Sequence, residues 1–259
     1  MDLEGAAHGR FQQVGWTDCT GSTNADVREA AQRTPSTSVV LFADEQTAGR
    51  GRRDRQWTMA HGGGLLVSFY VPWPAGVEAH AIPTALGVAT VSAIASVGRH
   101  VHLKWPNDIV AIDDRKIGGM LSEAVTTAGT FAGVICGLGC NVAWPDREAR
   151  ALPGLENAVS LDSLGNARVD RDILARSLIE AFDHELDLVQ SAGVAALYDR
   201  YRSVCTTIGR EIRVDRADGT SLMGTATDVS IDGSLLVLVD GSQHRVDVGD
   251  VVHLRPAAG

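Results

Sequence analysis

The sequence predicts an α+β protein in two unequal parts, a mixed-sheet domain over residues 1–203 and a small β-barrel over 204–259. Three observations predict this. Up to about residue 202, apolar runs of strand length alternate with longer stretches of helical spacing. After Cys205 the texture changes to four short alternating runs: Ile212/Val214, Leu222 to Val229, Leu235 to Val239, and His244 to Val248. Asp218-Gly219, Asp232-Gly233 and Asp240-Gly241 punctuate those runs, and Asp-Gly between apolar alternations is a strong hairpin signal. A barrel of about 50 residues fits that spacing.

Residues 1–20 are too few for a folded module of their own. Ser22 or Thr23 is placed to cap a helix that carries Val27, Ala30 and Ala31. Ser38 to Ala43 reads as a buried strand. Residues 46–63 hold six Gly or Ala and almost no large aliphatic residue, so they form a loop, and loops of that length are usually functional or mobile. Leu65 to Val71 is a further strand. Residues 79–97 form a core helix with Ile82, Leu86, Ala89, Ala93 and Val97 on one face and Pro83 in its first turn. Val101 to Lys104 and Ile109 to Ile112 flank a Trp-Pro-Asn-Asp break, and Asp113-Asp114 turns the chain toward Lys116. Strands follow near 117–125 and 131–138, then irregular chain over 145–169. Asp170 caps a long helix with Leu174, Leu178, Phe182, Leu186 and Val189 inward, and a second helix covers about 193–202.

Composition narrows the function. The net charge is −9, from 23 basic and 32 acidic residues, which disfavours a protein built to hold nucleic acid. No window approaches about 18 uninterrupted apolar residues, so no membrane span is expected. The N-terminus lacks a basic segment followed by an apolar one, which points to the cytoplasm. Cys136 and Cys140 form a C-x3-C pair inside an apolar run, and with no further ligands nearby they read as buried free thiols. The eight histidines show no metal spacing, and Ser68 lacks the flanking glycines of a nucleophile elbow.

Four segments are equipped for chemistry. Gly49-Arg50-Gly51-Arg52-Arg53-Asp54-Arg55-Gln56-Trp57 places four arginines within six positions. Glycine lets backbone approach a ligand, and arginine offers a planar fork to phosphate or carboxylate. Mutual repulsion among the cations favours a mobile loop that an anion would order. A solvated basic loop or a nucleic-acid patch is the alternative. Lys104-Trp105-Pro106-Asn107-Asp108 reads in isolation as a turn with Trp105 extended ahead of proline. Lys116-Ile117-Gly118-Gly119 is either an edge lysine that blunts aggregation or a charge aimed at a ligand lying on bare backbone. Gly137-Leu138-Gly139-Cys140-Asn141 has glycines where a strand is weakened unless something approaches it.

Taken together with Gly21-Ser22-Thr23-Asn24 and Gln46-Thr47-Ala48, these segments resemble, in order and spacing over about 120 residues, the biotin protein ligase family. The resemblance extends over essentially the whole chain and is to the single-function class without an N-terminal DNA-binding module. It implies a mixed-sheet catalytic domain related to class II aminoacyl-tRNA synthetases and lipoate ligases, followed by a small SH3-like β-barrel. It further implies that biotin and ATP, with Mg²⁺, give biotinyl-5′-AMP, and that biotin passes to a lysine of a biotin carboxyl carrier domain of an acyl-CoA carboxylase. By resemblance Ser22, Thr23, Asn24 and Gln46 hold the biotin ureido ring. Gly49, Arg50, Gly51, Arg52 and Arg55 belong to the loop that closes over biotin and the phosphates. Lys116 contacts the carboxylate and the bridging phosphate oxygen, and Gly118 and Gly119 receive the biotin rings. Trp57 stacks on adenine, with Asn107 and Asn141 near the nucleotide. Lys116, Arg52 and Asp108 are the catalytic candidates, Asp108 accepting the proton of the incoming lysine. Asp54 stands where the family commonly has glycine, and Cys140 where an aliphatic residue is more usual. Family members are monomers or dimers joined at a sheet edge, and no DNA or membrane partner is expected. A lipoate ligase, an anion-binding module without chemistry and a nucleic-acid binder are the competing readings.

Overall fold

The computed structural model describes all residues except 1, 2, 4, 5, 54, 74–76, 144–155, 217, 218, 248 and 255–259. A seven-stranded sheet runs in the order β1-β2-β3-β7-β6-β5-β4. Its strands are β1 (Gln13–Thr20), β2 (Val39–Gln46), β3 (Gly64–Pro72), β4 (His102–Lys104), β5 (Asp108–Val110), β6 (Lys116–Thr127) and β7 (Thr130–Asn141). Only β1 and β2 pair in parallel; all other neighbours are antiparallel, so the sheet is mixed, as expected. The strand β1 was not anticipated, because QVGWTDCT has no apolar run and lies half exposed at the sheet edge. What precedes it is anchored by Phe11, fully buried 5.3 Å from the Phe69 ring and 5.5 Å from that of Phe182.

Helices cover both faces. The helix α1 (Thr23–Arg33) lays Val27 and Ala31 against Val39, Tyr70, Val125 and Ile135. The helices α2 (Ala81–Ser96) and α3 (Arg171–Ala192) cover the opposite face, where Phe69, Val71, Val134 and Cys136 point. Successive residues of β3 therefore enter different cores, and eight of its nine residues are buried. Asp170 caps α3 as expected, accepting from the backbone N–H groups of Asp172 and Ile173 at 2.9 and 3.1 Å. Ser22 occupies the N-cap position of α1 but makes no side-chain cap bond. The helix α4 (Val194–Val204) leads into the second sheet, and the described part of 145–169 holds a short 3-10 turn at Asp162–Leu164 and a parallel bridge from Ala158 to Lys116.

The second sheet is antiparallel with five strands in the order β11-β10-β9-β8-β12. They are β8 (Glu211–Asp215), β9 (Ser221–Val229), β10 (Leu235–Val239), β11 (Ser242–Val246) and β12 (Asp250–His253). Among the described residues the outer strands β11 and β12 do not pair, so the ladder is open where a barrel was expected. The sequence anticipated four strands; β12 was missed because its core contribution reduces to Val251. Asp240 and Gly241 both take positive φ, 48° and 79°, as a two-residue hairpin turn demands. The two sheets share one core through Tyr198, Tyr201, Cys205, Ile212 and Leu235. Trp105 docks across the junction, its indole N–H donating to the Gly233 carbonyl at 2.9 Å.

Two stability predictions follow from this packing. Phe182 fills the space between Phe11 and Phe69, so Phe182→Ala should cost about 3–5 kcal/mol and Phe182→Leu markedly less, read from denaturant midpoints. His253 is nearly buried beside Lys104 and Asp114; burial foremost, then Lys104, lowers its pKa below 6.5, with Asp114 opposing. A neutral form preferred in the native state adds stability above that value and loses it as the unfolded chain protonates on acidification. His253→Gln should therefore lose less stability than the parent between about pH 7.5 and 5.5.

Candidate functional site

A cavity of about 440 Å³ opens at the ends of α1, β2, β6 and β7 and is bounded on one side by β12. Its inner wall is polar and pre-ordered. Thr23 donates to Gln46 Oε1 from its backbone N–H at 2.8 Å and from Oγ1 at 3.0 Å. Ser68 Oγ, fully buried on β3, lies 2.7 Å from Thr23 Oγ1 and 2.6 Å from Asn24 Oδ1. Asn24 Nδ2 donates to Glu123 Oε2 at 2.7 Å. A side chain at Gly137 would collide with Asn24 Oδ1, so the glycine keeps this wall clear. Ser22, Thr23, Asn24 and Gln46 thus come together on one surface of the cavity.

The arginine segment folds back on itself as a hairpin, with Arg50 bridged to Gln56. Trp57 N–H donates to the Gly49 carbonyl at 3.0 Å and Gly51 N–H to the Arg55 carbonyl at 2.7 Å, with Arg53 at positive φ near the tip. Gly49 is required by close approach: a Cβ there would fall 2.5 Å from the Trp57 carbonyl. Carboxylates supply the compensating charge. Arg50 reaches Glu123 at 3.2 Å, and Arg52, Arg53 and Arg55 converge on Asp250, at 4.0 Å, at 3.1 Å and in direct contact. Arg52 turns inward, donating to Asn107 Oδ1 at 3.1 Å, while Asn107 Nδ2 holds the Met120 carbonyl at 2.7 Å. Burial lowers the pKa of Arg52 despite nearby Asp250, without threatening its charge. Asp54 lies outside the described residues.

Opposite the hairpin, Lys116 Nζ sits 2.6 Å from Asp108 Oδ1 and 5.8 Å from the centroid of the Trp57 ring. Trp57 packs against Gly139, whose missing side chain makes room for the indole. Its Nε1–H is buried without a partner among the described residues, as is Asn141 Oδ1, two positions beyond Gly139 on the same face of β7. Gly119 lines the cavity beside Lys116 and Asp108, but Gly118 does not: its Cβ position points at the Gly139 carbonyl, 2.5 Å away, so strand packing requires it. Cys140 is buried opposite Leu65 and Gly118, and burial raises its thiol pKa to about 12.

Several contributors carried no sequence signal. Glu123 takes Asn24, Arg28 and Arg50 together, yet in sequence it is one polar residue on an alternating strand. Ser68 shows in sequence only as a polar residue in an apolar strand without the glycines of a nucleophile elbow. Asp250 lies about 200 residues from the arginines it binds. Lys104, also on the cavity wall, has its pKa lowered by burial, with Asp108 and Asp114 opposing.

Residues 16–141 match the Biotin/lipoate A/B protein ligase family, and residues 207–254 match the Biotin protein ligase C terminal domain. The chain is 34% identical to the biotin–[acetyl-CoA-carboxylase] ligase of Mycobacterium tuberculosis, over 98% of this chain and 93% of that one. It is 29% identical to the bifunctional ligase/repressor of Escherichia coli, over 78% of this chain and 62% of that one. The solved structure of the Aquifex aeolicus biotin protein ligase in complex with biotin and ATP shares the fold, with a TM-score of 0.78 at 24% identity over 95% of this chain and 100% of that one. Two matched segments, one in each sheet, and a relative aligned nearly end to end place the chain in the biotin protein ligase family.

Proposed function

We propose that the protein activates biotin with ATP to biotinyl-5′-AMP and transfers biotin to a specific lysine of a biotin carboxyl carrier protein. The observation that carries this is the facing of the arginine hairpin and Lys116 across one cavity whose inner wall is neutral and polar. The wall of Ser22, Thr23, Asn24 and Gln46 suits the ureido group, which both donates and accepts hydrogen bonds. Trp57, on the cavity wall, has an indole N–H without a partner among the described residues, whereas Asn141 is not among the residues that line the cavity.

In the first step a biotin carboxylate oxygen bonds to the α-phosphorus and the bond to the pyrophosphate oxygen breaks. Such chemistry needs positioning and charge neutralisation more than a protein nucleophile. Arg52 and Lys116 are the cations placed for it. The Lys116–Asp108 pair is partly exposed, 38% and 28%, and pairs of that kind contribute only about 0–1 kcal/mol. Charge-assisted hydrogen bonds to a phosphate are worth about 1.5–3 kcal/mol, so the anion draws the ammonium away. Asp108 is then free to accept a proton from the incoming lysine, which attacks the mixed anhydride and displaces AMP. The hairpin limits access of water to the anhydride. Among the described residues no three ligating side chains gather into a metal site. Mg²⁺ would arrive on the phosphates of ATP, where it would supply charge neutralisation.

The finer architectural reading belongs to the same proposal. It divides the chain at 203/204 into a catalytic domain related to class II aminoacyl-tRNA synthetases and lipoate ligases and an SH3-like barrel domain. No described helix is long and apolar enough to cross a membrane. We further propose a cytoplasmic enzyme without a DNA partner that is either a monomer or a homodimer joined at a sheet edge.

Transfer of biotin to a purified carrier domain only when ATP is present tests the function directly. Lipoate accepted in place of biotin would redirect it to the sister activity. Lys116→Ala should reduce biotin-dependent pyrophosphate exchange by at least about 100-fold with the fold retained; unchanged exchange would refute the role. Arg52→Gly should instead release the adenylate, seen as indiscriminate labelling of added protein. Gly137→Ala, by displacing Asn24, should raise the Kd for biotin by about tenfold or more, about 1.4 kcal/mol, with little change in ATP binding.

A further inference from the structure

Asp250 opens β12 of the C-terminal sheet, yet its carboxylate is spent on the arginine hairpin. Arg53 Nη1 donates to its Oδ2 at 3.1 Å, Arg55 Nη2 contacts the same oxygen, and Arg52 Nη1 lies 4.0 Å from Oδ1. Two backbone carbonyls of the same sheet add to the contact: Asp215 accepts from Arg53 at 3.1 Å and Gly249 from Arg52 at 3.4 Å. We infer that Asp250 is a positioning residue for the nucleotide step, a tether on the C-terminal sheet that holds the arginine hairpin folded over the cavity. The inference rests on the ligase reading for its consequence, but the tether itself is made of this chain's own side chains.

The geometry divides labour within the hairpin. Arg53 and Arg55 bind the Asp250 carboxylate directly, whereas Arg52 stands farther from it and donates to Asn107. One carboxylate against three guanidiniums leaves the cluster net positive, so the tether does not consume the charge that a phosphate needs. It removes a different obstacle. Neighbouring cations repel, and a hairpin left to itself would sample open conformations. A ligand would then have to order it, at a cost in affinity that a preorganised loop avoids. The other end of the loop is anchored separately, where Gly62 N–H donates to the Asp44 carbonyl at 3.0 Å and Arg171 pairs with the Asp44 carboxylate. Asp250 thus completes a fixation at both ends, and it makes the second sheet part of the nucleotide site.

Asp250→Asn, nearly isosteric, removes the charge; Asp250→Glu retains it. With folding checked by circular dichroism, two measurements are made. Trypsin cleavage at Arg50 to Arg55 in the ligand-free protein, mapped by mass spectrometry, reads the tether without any catalysis and should run about tenfold faster in Asp250→Asn. Biotin-dependent pyrophosphate exchange should show a KM for ATP raised about tenfold with kcat within about twofold, and Asp250→Glu should restore most of the loss. In a double-mutant cycle Arg55→Gln should add little to Asp250→Asn. If Asp250→Asn does not fold, Arg53→Gln/Arg55→Gln carries the kinetic measurement in its place. Parental cleavage and parental KM in Asp250→Asn, a lowered KM, or full additivity would overturn the inference. Absence of exchange in the parent protein would overturn the ligase reading instead, and the cleavage rates would still decide whether Asp250 holds the hairpin.

Discussion

Four guanidiniums on one short hairpin are a Coulombic problem, and much of the site is organised by its solution. The chain answers with single carboxylates drawn from far away in sequence: Glu123 of β6 for Arg50, and Asp250 of β12 for Arg52, Arg53 and Arg55. Each partner is placed by a strand, not by a loop, so the hairpin inherits the rigidity of two sheets. A surplus of acidic residues over the whole chain is consistent with this arrangement. The basic segment is compensated in part, and one carboxylate shared by three guanidiniums leaves it a positive excess.

The two sheets meet in a way that serves this balance. Trp105 is locked to Gly233 and, through its backbone N–H, to Thr207 Oγ1 at 3.0 Å, so the turn that delivers Asn107 and Asp108 also registers the second sheet against the first. Arg202 pairs with Asp228 at 2.6 Å from the end of α4, adding a further strut. The C-terminal sheet is therefore held by a shared apolar core at one level and reaches the hairpin at another. Glycines on β6 and β7 complete the site by absence: Gly137 leaves space for Asn24 and Gly139 for Trp57, while Gly118 accommodates the neighbouring strand.

The inner wall shows the same economy. Ser68 has one proton and two acceptors within reach, Thr23 Oγ1 and Asn24 Oδ1, so its bond selects between two neighbours that both face the cavity. Thr23 in turn donates twice to Gln46 Oε1, once from its backbone N–H and once from its hydroxyl. These hydrogen bonds run between α1, β2 and β3, elements that the core fixes independently. The wall is thereby fixed by the packing of three elements that each belong to the core.

Local pattern determined a large share of this protein. The paired apolar runs of β2, β3, β6 and β7, the Asp170 cap, and the Asp-Gly turn at 240–241 were readable because strand alternation, capping and turn chemistry act within a few residues. The motif segments around Ser22, Arg50, Asn107, Lys116 and Gly139 were readable as candidates for the same reason, and their order pointed to one family. Edge strands escaped: β1 and β12 contribute few buried residues, and hydrogen-bonding to a neighbour, not composition, makes them strands. Tertiary structure alone decided that Gly118 packs against its neighbour strand, that Glu123 and Ser68 belong to the site, and that Asp250 grips the arginines. Those facts depend on which side chains the sheets bring together across tens to hundreds of residues, and Coulomb and steric forces act on distance in space, which a linear sequence does not encode locally.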